Sequence, residues 1–395
     1  MHLMPRLALD PTSTLPADGT AGCLVGRVMR PGLGASVVAV RSDGVYDVTK
    51  AFPTTADLFD QPDPAGALKA AAGERIGAFA EILANSAADA ADPERPVFLS
   101  PIDLQAVKAA GVTFALSMVE RVIEEQAKGV PERAGAIRAE IGAIIGGELK
   151  GLKPGSPAAA ALKQHLIERG LWSQYLEVGI GPDAEIFTKA PVLSSVGTGA
   201  DIGLHPISTW NNPEPEVVLA IASDGRIVGA TLGNDVNLRD VEGRSALLLG
   251  KAKDNNASAA IGPFVRLFDA TFGIDQVRAM KVSLTVTGED GFVLDGRSDM
   301  AAISRDVEDL AAQAIGAHHQ YPDGLVLYCG TLFAPIQDRD APGKGFTHKR
   351  GDIVTIASAE LGSLSNRVRL STECPPWTYG VRALMADLKA RGAGR

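Results

Sequence analysis

The sequence predicts an α+β protein, with a mixed β-roll or sandwich domain over residues 105–395 and a smaller N-terminal α+β domain over residues 1–104. Three observations carry this expectation. After Leu176, short apolar runs alternate with Gly, Asp and Asn turns, the pattern of a mostly antiparallel sheet. Ahead of them, residues 126–175 form a charged, Ala-rich, helical stretch. The composition, 46% hydrophobic and 22% charged over 395 residues, is that of an ordinary folded chain.

From Gly22 to about Pro101 the chain reads as strands and turns followed by a helical patch. The alternating run Ala35-Ser-Val-Val-Ala-Val supplies the first signal and the Ala-rich run from Gly66 to Asn85 the second. At Gly111-Val-Thr-Phe-Ala-Leu-Ser a strand-like entry passes into a helix, with Leu116, Val119 and Ile123 expected on one face. The helical stretch 126–175 is broken at Gly151 and Pro154, as an inserted helical pair or lid would be. Val217-Val-Leu-Ala-Ile, Ile227-Val-Gly-Ala and Lys281-Val-Ser-Leu-Thr-Val then read as strands. No period of about 20–50 residues recurs, which excludes a solenoid.

The net charge of −9 and pI near 5.3 argue against a nucleic-acid partner, whose phosphates need clustered Lys and Arg. Cys23, Cys329 and Cys374 are odd in number and lack CxxC spacing, so they read as reduced thiols. The first residues lack a basic stretch followed by an apolar one, and no window resembles a membrane span. The expectation is a cytoplasmic protein without a membrane partner.

Chemistry concentrates in one region. Glu214 and Glu216 stand two apart where an apolar strand begins, so an extended backbone points both carboxylates to one side. Pro213 and Pro215 stiffen the approach. Asp235, in a turn after the next strand, offers a third oxygen. Three carboxylates without a nearby His or Cys suit a hard cation, Mg²⁺ with Mn²⁺ or Ca²⁺ as substitutes. A bare Glu-x-Glu is more often an exposed strand entry; the neighbouring Asn211, Asn212, Arg239 and Asp240 turn the reading toward a site. Lys251 and Lys253 follow in a segment with apolar flanks, where a desolvated lysine would be available as a neutral base. The six histidines fall at no ligand or dyad spacing, and His205 lies nearest the acidic segment. Ser194 and Ser195 read equally as pocket-lining residues or as a plain turn.

Glu214-Pro-Glu-Val-Val-Leu-Ala-Ile, Gly233-Asn-Asp-Val-Asn-Leu-Arg-Asp, Ala252-Lys253, Ile261-Gly-Pro-Phe, Gly330-Thr331 and Gly362-Ser-Leu-Ser-Asn-Arg-Val together resemble the fumarylacetoacetate hydrolase family, in order and spacing over roughly residues 105 to 375. Asp240-Val-Glu-Gly-Arg and Lys253-Asp-Asn-Asn resemble its sugar-acid branch, which dehydrates 2-keto-3-deoxy-D-xylonate to 2,5-dioxopentanoate in pentose catabolism. The resemblance implies a Mg²⁺ site on Glu214, Glu216 and Asp235, a catalytic Lys253, and substrate contacts from Lys189, Arg239 and Thr331. It also implies a homodimer or homotetramer. The family's C–C bond hydrolases activate water with a His-Glu pair; the matching positions here are Ser117 and Glu120. Serine cannot take a proton as imidazole does, so hydrolysis is disfavoured, Ser117 becomes a pocket residue and Glu120 a candidate acid or base. The alternatives are an acylpyruvate or fumarylacetoacetate-type hydrolase, a decarboxylase or hydratase of the same family, and a non-catalytic metal-binding relative.

Overall fold

The computed structural model describes residues 7–89, 91–128, 130, 132–138, 149, 151–168, 170, 172–331, 333, 335–342 and 345–393. Among them sixteen strands form two sheets. The larger contains β1 (Cys23–Arg30), β2 (Gly34–Arg41), β3 (Gly44–Asp47), β4 (Glu74–Gly77), β5 (Val97–Leu99), β6 (Ala106–Gly111), β7 (Glu185–Ala190), β9 (Pro215–Ile221), β10 (Ile227–Asp235), β11 (Ala259–Leu267) and β14 (Leu325–Tyr328). Its order is β4-β3-β2-β1-β11-β10-β9-β14-β6-β7, with β5 also beside β1. The smaller contains β8 (Asp201–Leu204), β12 (Lys281–Thr287), β13 (Val293–Asp299), β15 (Ile353–Ser358) and β16 (Gly362–Leu370), in the order β13-β12-β15-β16-β8. Neither sheet closes on itself, β14–β6 and β16–β8 are parallel ladders, and helices flank both sheets, so the α+β expectation holds.

The sheets pack face to face, and β9 shows why. All seven of its residues are buried. Val217, Leu219 and Ile221 point into a core shared with Leu284, Ile356 and Leu364 of the smaller sheet. Val218 and Ala220 point the other way, against Leu58, Phe59 and Leu68. A strand covered on both faces must be apolar throughout, and burying one such Leu or Ile side chain contributes about 1.5–3 kcal/mol. β12 lies between β13 and β15, and its alternating exposed and buried residues match a strand covered on one face only.

Residues 1–104 and 105–395 share the larger sheet. β1 pairs antiparallel with β11, Cys23 opposite Leu267 and Val25 opposite Val265. The C-terminal helix Val381–Ala390 lies against β2, and Arg391 donates to Ser36 Oγ and Asp47 Oδ2 at 2.7 Å each.

Helix Ala115–Ala127 buries Met118, Val119, Val122 and Ile123 against helices Pro157–Glu168 and Gln174–Ile180. Leu116 departs from expectation: it is 54% exposed, because the buried stripe through 118, 119, 122 and 123 is centred about a quarter turn away. Of the expected helical insertion 126–175, the two later helices belong to this cluster, while 139–148 falls outside the described residues. No helix among the described residues is long and apolar enough to cross a membrane.

Candidate metal centre

β9 and β10 are antiparallel neighbours, with Glu216 opposite Gly233 and Pro215 opposite Asn234. The start of one strand therefore lies beside the end of the other. Main-chain bonds tie the flanking segments together: Asn212 and Asn237 each donate to the other's carbonyl at 3.1 Å, and Asp235 N donates to Glu214 O at 3.0 Å. Asn234 Oδ1 accepts from Glu214 N at 3.1 Å. This stitching brings oxygens of Glu214, Glu216 and Asp235, all buried, within 4.8 Å of one another, as the i, i+2 pattern predicts.

Lys253 ends the short helix Leu249–Lys253, and its Nζ donates to Glu214 Oε2 at 2.5 Å and Asp235 Oδ2 at 3.2 Å. Phe187 lies under the ammonium, ring centroid 5.5 Å away. Burial alone would push this amine down, but the charges of Asp235, Glu214 and Glu242 outweigh it and hold Lys253 well above the ordinary lysine range. The apolar flanks alone would favour a neutral amine; the carboxylates of Glu214 and Asp235 favour the charged one. Behind the wall of the site, Lys189 is pulled down by burial against the opposing pull of Asp235. Glu216 accepts from Gly330 N at 2.6 Å. Burial first, then the charges of Asp235 and Glu214, push its carboxyl well above the usual range.

Ser117 and Thr331 line the same cavity as the three carboxylates and Lys253. Ser117 Oγ also closes a turn with Phe114, donating to its carbonyl at 2.8 Å. Three other expected residues lie behind the wall. Lys189 is fully buried, 2.8 Å from Asp235 Oδ1, and donates to the carbonyls of Lys253 at 2.5 Å and Val236 at 3.1 Å. Arg239 stacks on Trp210 at 4.4 Å and donates to Glu124 at 2.7 Å and to the Pro335 carbonyl at 3.1 Å. Glu120 is gripped by Arg138 through two bonds of 2.7 Å, with Arg239 at 3.5 Å. Lys189, Arg239 and Glu120 are not among the described residues that line the cavity. His205 and Lys251 are likewise absent from the cavity lining.

The structure adds Arg121, Glu185 and Glu242, which line the cavity and which sequence reasoning passed over. Arg121 contacts Glu124 at 2.6 Å, Glu242 at 3.2 Å and Glu214. Period-two alternation along β7 puts Glu185, Phe187 and Lys189 on one face, a signal available in the sequence once Lys189 is taken as a site residue. Burial, then the charges of Glu242 and Glu214, against those of Arg121 and Lys253, push the Glu185 carboxyl up to about 7.

These groups fit a divalent cation. Glu124, Glu214, Asp235 and Glu242 are paired with Arg121, Arg239, Lys189 or Lys253, whereas Glu216 and Glu185 beside them have no ion-pair partner among the described residues. Burial first, and neighbouring carboxylates second, push Glu216, Glu185 and Glu242 up, a crowding of negative charge that a divalent ion on Glu214, Glu216 and Asp235 would relieve. All-oxygen donors suit a hard ion.

Residues 158–369 match the sequence profile of the fumarylacetoacetate hydrolase C-terminal region, more than half of the chain. The chain belongs to the fumarylacetoacetate hydrolase family. Within the family it is 31% identical over 185 residues to the 2-dehydro-3-deoxy-D-arabinonate dehydratase of Saccharolobus solfataricus, covering 47% of this chain and 58% of that one. It is 29% identical over 201 residues to a probable 2-keto-3-deoxyxylonate dehydratase of Haloferax volcanii, covering 51% of this chain and 65% of that one. The matches span less than two thirds of these curated relatives. A 2-keto-3-deoxy-D-arabinonate dehydratase solved in complex with magnesium and 2,5-dioxopentanoate shares the fold, with a TM-score of 0.58 at 20% identity over 88% of this chain and 99% of that one. A 5-carboxymethyl-2-hydroxymuconate delta-isomerase from Mycobacterium smegmatis shares it with a TM-score of 0.51 at 18% identity over 87% and 98%.

Proposed function

We propose that this chain is a Mg²⁺-dependent dehydratase of 2-keto-3-deoxy sugar acids, with 2-keto-3-deoxy-D-xylonate as substrate and 2,5-dioxopentanoate as product. The observation that carries this reading is the buried trio Glu214, Glu216 and Asp235 beside the Lys253 ammonium, in a cavity whose described lining contains no histidine. Water activation for hydrolysis lacks its imidazole there, and Ser117 does not replace it. The dehydratase relatives support the same direction. D-xylose breakdown in the cytoplasm by a homodimer or homotetramer completes the reading.

Held by the three carboxylates, a divalent cation would supply Lewis-acid stabilisation for negative charge developing on an oxo-acid. The chain's own groups carry the protons. Glu185, poised near neutrality, suits a base that removes a C3 proton. The C4 hydroxyl leaves as water with a proton from the Lys253 ammonium. Glu185 then returns its proton to C3 while the now neutral Lys253 takes one from C5, leaving a C4=C5 enol whose hydroxyl proton passes to C4 as the terminal carbon becomes the aldehyde. One water is lost, and both residues regain their starting state. This sequence exchanges the expected roles: Lys253 begins as the acid, and Glu185 replaces Glu120. Ser117, Thr331 and Arg121 are positioned to receive substrate hydroxyls and the carboxylate.

The test is incubation of purified protein and Mg²⁺ with a panel of 2-keto-3-deoxy aldonates, following semialdehyde formation. Turnover of the pentonate is expected. Cleavage of acylpyruvates with no semialdehyde would restore the hydrolase reading, and Mg²⁺ stabilisation without turnover of either class would leave a non-catalytic metal-binding protein.

A further inference from the structure

Gly111 ends β6 directly opposite Glu185 of β7 in the antiparallel register. Cross-strand partners ordinarily meet side chain to side chain, with Cβ atoms about 4.5–5.5 Å apart. Here only one of the pair has a side chain, and it fills the vacant half. A Cβ built on Gly111 would fall 2.0 Å from Glu185 Oε2 and 2.8 Å from its Cδ. Both residues line the cavity that holds Lys253 and the three carboxylates. Among the described residues no hydrogen bond or ion pair holds the Glu185 carboxyl, so its place is set by the room around it. Gly111 is not in the left-handed region, and its backbone would accept alanine. What glycine provides at this position is space.

We propose that Gly111 is a positioning residue, whose missing side chain forms the seat that keeps the Glu185 carboxyl lying across β6 and inside the cavity. The inference rests on the reading of Glu185 as the proton-transfer group of a dehydratase. The atoms in the way of a methyl at 111 are the far end of a flexible side chain, not backbone. A methyl there displaces the carboxyl and leaves the strands in place. A shift of about 1 Å in a reacting group is enough to cost on the order of 100-fold in rate.

The test is a double-mutant cycle of Gly111→Ala and Glu185→Gln in the full-length, Mg²⁺-loaded enzyme. Gly111→Ala should lower kcat roughly 10- to 100-fold, leave Tm and the Mg²⁺-induced rise in Tm unchanged, and add less than about 2-fold in the Glu185→Gln background. Its pH–rate profile should lose the limb near neutrality as the carboxyl leaves its buried seat. Glu185→Asp, one methylene short of the seat, should lose activity with glycine still at 111, which gives a second readout should the alanine variant be unstable. An equal loss from Gly111→Ala in both backgrounds, or a silent Gly111→Ala or Glu185→Asp, overturns the proposal. A wild-type enzyme inert toward every 2-keto-3-deoxy acid overturns the dehydratase reading instead. In that event a crystal structure of Gly111→Ala still decides the seat: a carboxyl that has not moved ends it.

Discussion

Lys253 and Glu185 divide the proton chemistry through opposite environments. The lysine is locked in its charged form by Glu214 and Asp235, whereas the glutamate is pushed up to about 7 by burial and by Glu242 and Glu214. Lys253→Met should lower turnover on the order of 1,000-fold while keeping Mg²⁺-dependent stabilisation; near-normal kcat in that variant would remove the lysine from the reaction. Glu185 also gives the fold a pH signature. A carboxyl raised in the native state stabilises it fully below its unfolded value of about 4.3, and this contribution is lost as pH rises through about 7. Metal-free Glu185→Gln should therefore gain in Tm on the wild type between about pH 5 and pH 8, and parallel Tm curves across that range would contradict the shift. Lys253 was legible in the sequence through its neighbours. Its charge state was not, because that depends on which carboxylates fold against it from β9 and β10.

At the level of elements, the ligand pair Glu214 and Glu216 could be read directly, since two-residue periodicity at a strand entry fixes the side to which both point. Asp235 reads as a turn residue after the next strand, and the structure makes it the last residue of β10. What stayed hidden was the second layer. Lys189, Arg239 and Glu120 look alike in sequence to residues that touch a ligand, and only the path of β7, the short helix Arg239–Glu242 and helix Ala115–Ala127 places them behind the cavity wall. Leu116 failed for a related reason: a helix of mixed composition offers several apolar stripes, and the packing of its partners chooses among them. Lys189 tests the bracing role. It is sealed from solvent between Asp235 and two carbonyls, so Lys189→Met leaves Asp235 with Lys253 as its one remaining cation partner and two carbonyls without their donor, and should cost about 3 kcal/mol of stability in chemical denaturation. A loss of activity with stability intact would instead point to contact with substrate.

Over the whole molecule, the continuous larger sheet decides how the chain unfolds. The boundary expected at residues 104 and 105 rests on the local pattern of strands, turns and helix, whereas the pairing of β1 with β11 and the packing of the C-terminal helix on β2 are long-range contacts that local pattern does not report. Calorimetry should show one cooperative transition for the two segments, and two well-separated peaks would mean that the shared ladder is weak. Mg²⁺ should raise the midpoint of that transition, since binding to the native state at a hundredfold excess over Kd contributes about 2.7 kcal/mol. Glu216→Gln should remove most of the rise, and an undiminished response would place the ion elsewhere.

The paired bonds between Asn212 and Asn237 set how long this arrangement lasts. Both asparagines lie outside the regular strands, where amides usually trade their hydrogens with solvent within minutes, but each is sealed and bonded to the other. Their isotope exchange should follow the slowest clock of the protein. The carboxylates between them would then part only when the entire chain comes undone.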